Sequence, residues 1–202
     1  MAVLEETRIA DLLRPYLEPV PQEVLTRLSF YLDLLVRWNA RTNLTAIREP
    51  GEMVRRHFGE SLFAAQHLGP EIPANLLDLG SGAGFPGLPI ALLHPKIAVT
   101  LAESQNKKAT FLREVIRSLG VRNVEVWAER AETMPSERRY HTVALRAVDD
   151  RTQALAAAAA RAERQLLLLS TDQPNPPDGF EATETLRLPE SRAGVLFRME
   201  RL

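Results

Sequence analysis

The spacing of apolar positions changes once along the chain. Up to about residue 72 they recur every three or four residues, and beyond it short apolar runs alternate with helical stretches. Residues 4–16 predict a first amphipathic helix, ended by Pro19 and Pro21. From Gln22 onward Leu25, Leu28, Leu32, Leu35 and Trp38 fall on one helix face, with Pro21 at a start that tolerates it. A break is expected over 39–45. Residues 52–68 then predict another helix, with Met53, Phe58, Leu62 and Ala65 on one side, stopped by Gly69-Pro70. Pro73 links this part to the next.

After Asn75 the pattern predicts strands over 76–79, 97–102, 123–127, 141–145 and 165–169. Helices over 88–93, 106–119 and 151–163 fit the gaps, and Gly120 ends the second of these. A proline-rich loop over 174–179 precedes two strands, about 182–188 and 195–199, expected to form an antiparallel hairpin. Strands and helices in this order, joined by right-handed crossovers, give an α/β fold. We expect a Rossmann-like, doubly wound, mostly parallel sheet over 73–202 and an N-terminal helical cap over 1–72.

The stretch on which the second part turns is Asn75-Leu-Leu-Asp78-Leu-Gly80-Ser-Gly82-Ala-Gly84-Phe85-Pro86-Gly87, with four glycines in eight positions between strand and helix. Glycine admits φ > 0 and lets a ligand approach the backbone. The helix that follows aims free N–H groups into the same space. Gly82-Ala-Gly84-Phe-Pro-Gly87 also satisfies the dinucleotide pattern G-x-G-x-x-G, so a nicotinamide cofactor is one reading. A turn that only packs strand against helix is another.

In such a sheet, ligands bind beyond the carboxyl ends of the strands. Glu103 closes the second strand 19 residues after Gly84, placed to accept hydrogen bonds from both ribose hydroxyls of an adenosine. Ala131-Glu132, after the third strand, would lie beside the adenine, and Arg146, ending the fourth, at the mouth of the site. The bland alternatives are an exposed strand-end acid, a solvated turn and a surface cation. No Ser-His-Asp order, metal-spaced histidines or paired carboxylates occur, so no metal is expected. His57, His67, His94 and His141 are scattered, and His57 is the one to test. The chemistry implied needs little acid–base help.

Composition narrows this further. The 202 residues are 45% hydrophobic, enough for a real core, and carry a net charge of −1, which announces no nucleic-acid partner. The neutral total hides a local excess: residues 37–56 hold five arginines (37, 41, 48, 55, 56) against two acids (49, 52). Arg41, Arg48, Arg55, Arg56 and His57 are therefore candidates for holding nucleic-acid phosphate, against the alternative of a solvated helix face. There is no cysteine, which excludes disulfides, cysteine zinc sites and a cysteine nucleophile. The acidic start Met-Ala-Val-Leu-Glu5-Glu6 is unlike a signal peptide, and no apolar run could span a bilayer. We expect a cytoplasmic monomer with no membrane partner.

Several motifs together resemble the family of ribosomal RNA small subunit methyltransferase G, also called glucose-inhibited division protein B. They are Asn43-Leu-Thr-Ala-Ile, Arg56-His57-Phe-Gly-Glu60-Ser-Leu and Leu77-Asp-Leu-Gly-Ser-Gly-Ala-Gly-Phe-Pro-Gly-Leu-Pro. Lys107-Lys108-Ala-Thr-Phe111-Leu-Arg113 and Asn123-Val-Glu-Val, followed by Arg130-Ala-Glu132, continue the likeness over roughly residues 20–150. The resemblance implies a class I methyltransferase fold using S-adenosylmethionine. It implies methylation of N7 on one guanine, guanine 527, of 16S rRNA, free or in the small ribosomal subunit, and it disfavours the nicotinamide reading. By the same resemblance Asp78 steadies the turn, and Gly80, Gly82, Gly84 and Phe85 contact the cofactor. Glu103, Ser104 and Gln105 then serve its ribose side, Ala131 and Glu132 its adenine side, and Arg146 a further contact. No residue is assigned a chemical step, although Arg146 and His57 are candidates.

The chain also departs from the family's pattern. An aromatic usual after the fourth strand is missing from Leu145-Arg146-Ala147-Val148. A lysine and glycine near the end of the fifth strand are replaced by Leu169-Ser170-Thr171, and the proline loop stands where a helix is usual. A methyltransferase acting on another RNA or a small nucleophile, or a non-catalytic factor binding S-adenosylmethionine or RNA, are the alternatives.

Overall fold

The computed structural model describes residues 2–146, 151–172 and 174–202. Ala147 and Val148, on which one departure from the family pattern falls, lie outside the described residues. The chain opens with α1 (Glu6–Leu13), shorter at both ends than the predicted 4–16. Next, α2 (Gln22–Thr42) runs into the break expected over 39–45 and stops within it at Asn43, which takes the left-handed conformation at φ 49°. Its buried stripe includes Val24, Leu25, Leu28, Tyr31, Leu32 and Leu35, as the spacing predicts.

The helix predicted over 52–68 is three segments in one path. α3 (Pro50–Met53) is capped by the Glu49 carboxylate, which accepts from the Gly51 and Glu52 amides. A π-helical segment (Val54–Gly59) follows, then α4 (Glu60–Gln66). The wider turn shifts the phase of the side chains. Val54 and Phe58 stay buried, while Arg55, Arg56 and His57 come to the partly exposed side.

The sheet holds β1 (Asn75–Leu79), β2 (Ala98–Ala102), β3 (Val124–Trp127), β4 (Tyr140–Arg146), β5 (Ala162–Ser170), β6 (Phe180–Arg187) and β7 (Val195–Arg201) in the order β3-β2-β1-β4-β5-β7-β6. The first five are parallel, and β7 lies antiparallel between β5 and β6. Connecting helices are α5 (Gly87–Leu93), α6 (Asn106–Leu119) and α7 (Arg151–Arg161). The predicted helix over 151–163 stops at Arg161 because Ala162 already pairs with Tyr140, so strand pairing overrides the helix propensity of Ala162-Glu163.

Both faces of the sheet are covered, as parallel strands require. Leu76, Val99, Leu101, Ala144, Leu167 and Leu169 join the N-terminal helices, α5 and α6 in one apolar cluster. Leu77, Val143, Leu145, Leu166 and Leu168 face the other way, against Leu155 and Ala158 of α7. At the far edge only Phe180 of β6 is buried. Strand order reverses between β1 and β4, which opens a crevice at their carboxyl ends. No helix among the described residues is long and apolar enough to cross a membrane.

Candidate functional site

Three glycines at positive φ bend the chain between β1 and α5: Gly80 (72°), Gly82 (58°) and Gly84 (96°). The Gly80 and Ser81 amides both donate to the Ala102 carbonyl at 3.0 Å, which ties the turn to the end of β2. Glu103, 6% exposed, then reaches across. Its Oε2 accepts from the Gly82 amide at 2.9 Å and its Oε1 from the Gln105 amide at 2.8 Å. Each oxygen keeps a lone pair for a further donor. Gln105 begins α6 with its backbone, and Ser104 and Gln105 are exposed.

Asp78 lies fully buried beneath this turn. Its Oδ2 accepts from the Gly87 amide at 2.8 Å, while Oδ1 has no hydrogen-bond partner among the described residues. Burial pushes this carboxyl up to about 7, against the opposing pull of the Gly87 amide. A β-carbon on residue 87 would fall 2.7 Å from Asp78 Oδ2, so the close approach requires glycine there. The other side of the turn is held by the N-terminal helices, where the Tyr31 hydroxyl donates to the Ala83 carbonyl.

Arg146 is not the surface cation its position could equally suggest. It is mostly buried, and its Nη2 donates to Glu60 Oε2 at 2.9 Å and to the Arg56 carbonyl at 2.6 Å. Its Nη1 lies 3.1 Å from His57 Nδ1, and His57 Nε2 lies 2.8 Å from Thr45 Oγ1. Because guanidinium only donates, Nδ1 must accept and the ring proton must sit on Nε2, facing Thr45. Burial first, then the charges of Arg146 and Arg56, lowers His57 to about 3. A ring so held is neutral at any ordinary pH and has no free nitrogen, which argues against His57 as a general acid or base. Arg56 Nε closes the cluster 2.6 Å from Glu60 Oε1.

Asp78, Gly80, Gly82, Gly84, Phe85, Glu103, Arg146 and His57 thus gather at the crevice. Ala131 is buried at the start of a 3-10 turn (Ala131–Thr133), with Glu132 exposed beside it. Of the five RNA candidates, four are engaged by the protein itself. Arg48 donates to the Asn39 carbonyl and to Asn43 Oδ1, Arg55 pairs with Glu52 and Glu190, and Arg56 and His57 lie in the cluster above. Arg41 is exposed and has no partner among the described residues. Among those residues, too, no group of His, Cys, Asp or Glu is arranged to hold a metal ion.

Four residues of the site carry no separate signal in the sequence. Glu60, 3% exposed, and Thr45 sit inside the family-like motifs, and their roles appear only when β4 brings Arg146 to them. Tyr31 reads as one more apolar position of α2. Arg161, 8% exposed at the end of α7, donates to the carbonyls of Pro135 and Met134 and so fixes the loop that follows Ala131-Glu132.

A parallel sheet with a glycine turn at its switch point, capped by a buried acid after β2, defines a Rossmann-like fold of the kind shared by many methyltransferases. Solved structures with this fold include a SAM dependent methyltransferase from Aquifex aeolicus (TM-score 0.60, 14% identity, covering 80% of this chain and 98% of that one). TrmN from Thermus thermophilus is another (TM-score 0.58, 19% identity, 74% and 53%). Residues 24–174 match the GidB family, rRNA small subunit methyltransferase G, and the chain belongs to it. Ribosomal RNA small subunit methyltransferase G of Xylella fastidiosa is 50% identical over 119 residues, 59% of this chain and 55% of that protein. Its counterpart in Dichelobacter nodosus is 46% identical over 132 residues, 65% of this chain and 62% of that protein. The matched stretch spans little more than half the length of such relatives.

Proposed function

We propose that this chain is an S-adenosylmethionine-dependent methyltransferase that modifies N7 of one guanine, guanine 527, in 16S rRNA, presented free or in the small ribosomal subunit. The observation that carries the reading is the glycine turn with Glu103 locked over it. Two backbone amides orient the carboxylate and leave lone pairs for a pair of vicinal hydroxyls such as those of a ribose. The unpartnered Oδ1 of buried Asp78 suits a cationic ligand, since a carboxyl pushed up to about 7 gains from any positive charge brought beside it. Gly82 adds to the fit: a β-carbon there would meet nothing closer than the Gly80 carbonyl at 3.9 Å, so the turn is open on that side.

On this reading Gly80, Gly82, Gly84, Phe85 and Glu103 hold the cofactor, with Ala131 and Glu132 on its adenine side and Arg146 near its far end. When bound, S-adenosylmethionine supplies an electrophilic methyl group. The chain's own residues position and exclude water. Guanine N7 carries an in-plane lone pair and no proton, so no general base is needed, and a His57 unable to exchange a proton fits that requirement. Arg41, exposed and unpaired, is the candidate of its group best placed to meet RNA phosphate, while Arg48, Arg55 and Arg56 act mainly by shaping the cap. The N-terminal cap (1–72) and the sheet domain (73–202) form this site together, in a chain read as a cytoplasmic monomer.

The test is transfer of radiolabelled methyl from S-adenosylmethionine to 16S rRNA or small subunits lacking the modification. The reading predicts incorporation that Gly82→Asp abolishes. Calorimetric binding of S-adenosylmethionine with no incorporation into either substrate would favour a non-catalytic binding factor.

A further inference from the structure

We propose that the outer face of the His57 ring is a stacking subsite for the target base, a planar purine drawn out of the RNA. The inference rests on the methyltransferase reading above and deepens it.

Three rings run from the core to the surface in nearly parallel planes. Tyr31 and Phe85 stack with centroids 5.4 Å apart and planes 8° apart, and Phe85 and His57 at 4.7 Å and 13°. Tyr31 and Phe85 are buried, and His57 alone of the three is partly exposed. Phe85 covers one face of His57, Arg146 occupies Nδ1 and Thr45 occupies Nε2. With one face and both nitrogens taken, and the residue still partly exposed, contact from outside is left to the second face and the carbon edge. Both hydrogen bonds fix the plane of the ring, so little rotamer freedom is lost when a base lands on it.

The position suits the chemistry. His57 lies on the π-helical segment, whose shifted phase brings it to the partly exposed side. It packs on Phe85, the residue that ends the glycine turn, so a base stacked there lies beside the proposed methyl donor. N7 methylation leaves the guanine positively charged. A neutral aromatic face accommodates that charge, whereas a protonated imidazole would repel it. Burial first, then the nearby charges of Arg146 and Arg56, keeps it in the neutral form. Base stacking on an aromatic side chain is also how extruded and single-stranded bases are commonly held.

The experiment separates the ring from its hydrogen bonds. His57→Phe keeps a flat ring and loses the acceptor facing Arg146; His57→Asn keeps an acceptor and loses the ring. The probe is an RNA hairpin with 2-aminopurine at the target position, read by fluorescence at saturating protein with S-adenosylhomocysteine present. Stacking predicts strong quenching by the wild type and by His57→Phe, and emission roughly threefold brighter or more with His57→Asn. Quenching by His57→Asn equal to wild type would overturn the proposal, and so would a His57→Phe complex as bright as His57→Asn. Either result would leave His57 as a support for Arg146. Cooperative melting and calorimetric binding of S-adenosylmethionine show that each variant is folded, and His57→Tyr with His57→Gln replaces any pair that fails this check. Absence of methyl transfer to RNA by the wild type itself would instead sink the methyltransferase reading.

Discussion

Two groups at the site, Asp78 fully buried and His57 mostly so, titrate in opposite senses, and their effects on stability should cancel until one is removed. Asp78 is raised from 3.8 to about 7 by burial, so the folded chain holds its proton more tightly than the unfolded chain. Its contribution is full below about 3.8 and is lost as pH rises towards 7. His57 is lowered from 6.5 to about 3 by burial and by Arg146 and Arg56, so the unfolded chain binds the proton more tightly. Its contribution is full above about 6.5 and is lost as pH falls towards 3. Between about pH 4 and 6.5 each changes stability by on the order of 1 kcal/mol per pH unit, with opposite signs. Urea denaturation between about pH 5 and 6, extrapolated linearly, reads the difference. Relative to wild type, Asp78→Asn should gain stability as pH rises, by about 1 kcal/mol per unit, because only the His57 contribution remains. His57→Asn should lose stability over the same range by a similar amount. Groups elsewhere affect all three proteins alike. Curves for both variants running parallel to wild type would refute the burial argument for these residues.

Other outcomes follow from the same geometry. Gly87→Ala places a β-carbon 2.6 Å from Leu101 Cδ2 and 2.7 Å from Asp78 Oδ2, and should lose about 2 kcal/mol or more, seen as a lower melting temperature; an unchanged melt would mean that α5 can slide away from β1. Tyr31→Phe removes the donor to the buried Ala83 carbonyl and should cost about 1–3 kcal/mol in urea titrations, with weaker binding of S-adenosylmethionine by calorimetry. Gly82→Asp has room for its side chain, with the nearest atom 3.9 Å away, but strains a backbone at φ 58° and sets a second carboxylate beside Glu103. It should fold cooperatively and bind S-adenosylmethionine at least about tenfold more weakly, since charge repulsion of this kind is worth a kcal/mol or more.

The alternation of helical and strand periods makes most of the fold legible in the sequence. α6 occupies the predicted residues, and the buried leucines of β5 divide between the two faces of the sheet as a strand demands. Boundaries fail where tertiary pairing competes with propensity. Ala162 and Glu163 read as helix and are strand because Tyr140 of β4 is there to pair with Ala162. The π-helical segment is invisible to a period of 3.6, although the residues displayed by it are the Arg-Arg-His run already noticed as a basic cluster. At the site, glycines and strand-end acids carry their own signal, since backbone reach and ribose recognition need those residue types. The arginine cluster does not. Whether Arg146 faces water or Glu60 depends on a partner 86 positions earlier in the chain, whereas Arg48 and Arg56 find their partners within nine residues, at the end of α2 and on the next helical turn.

The most direct test of the central claim is to map N7-methylguanine after reaction in vitro. Purified protein is incubated with S-adenosylmethionine and unmodified 16S rRNA or small subunits, and the RNA is then cleaved by borohydride and aniline and read by primer extension. The account predicts one new stop, at guanine 527, absent with Gly82→Asp. No new stop on either substrate, or stops at other guanines, would contradict it.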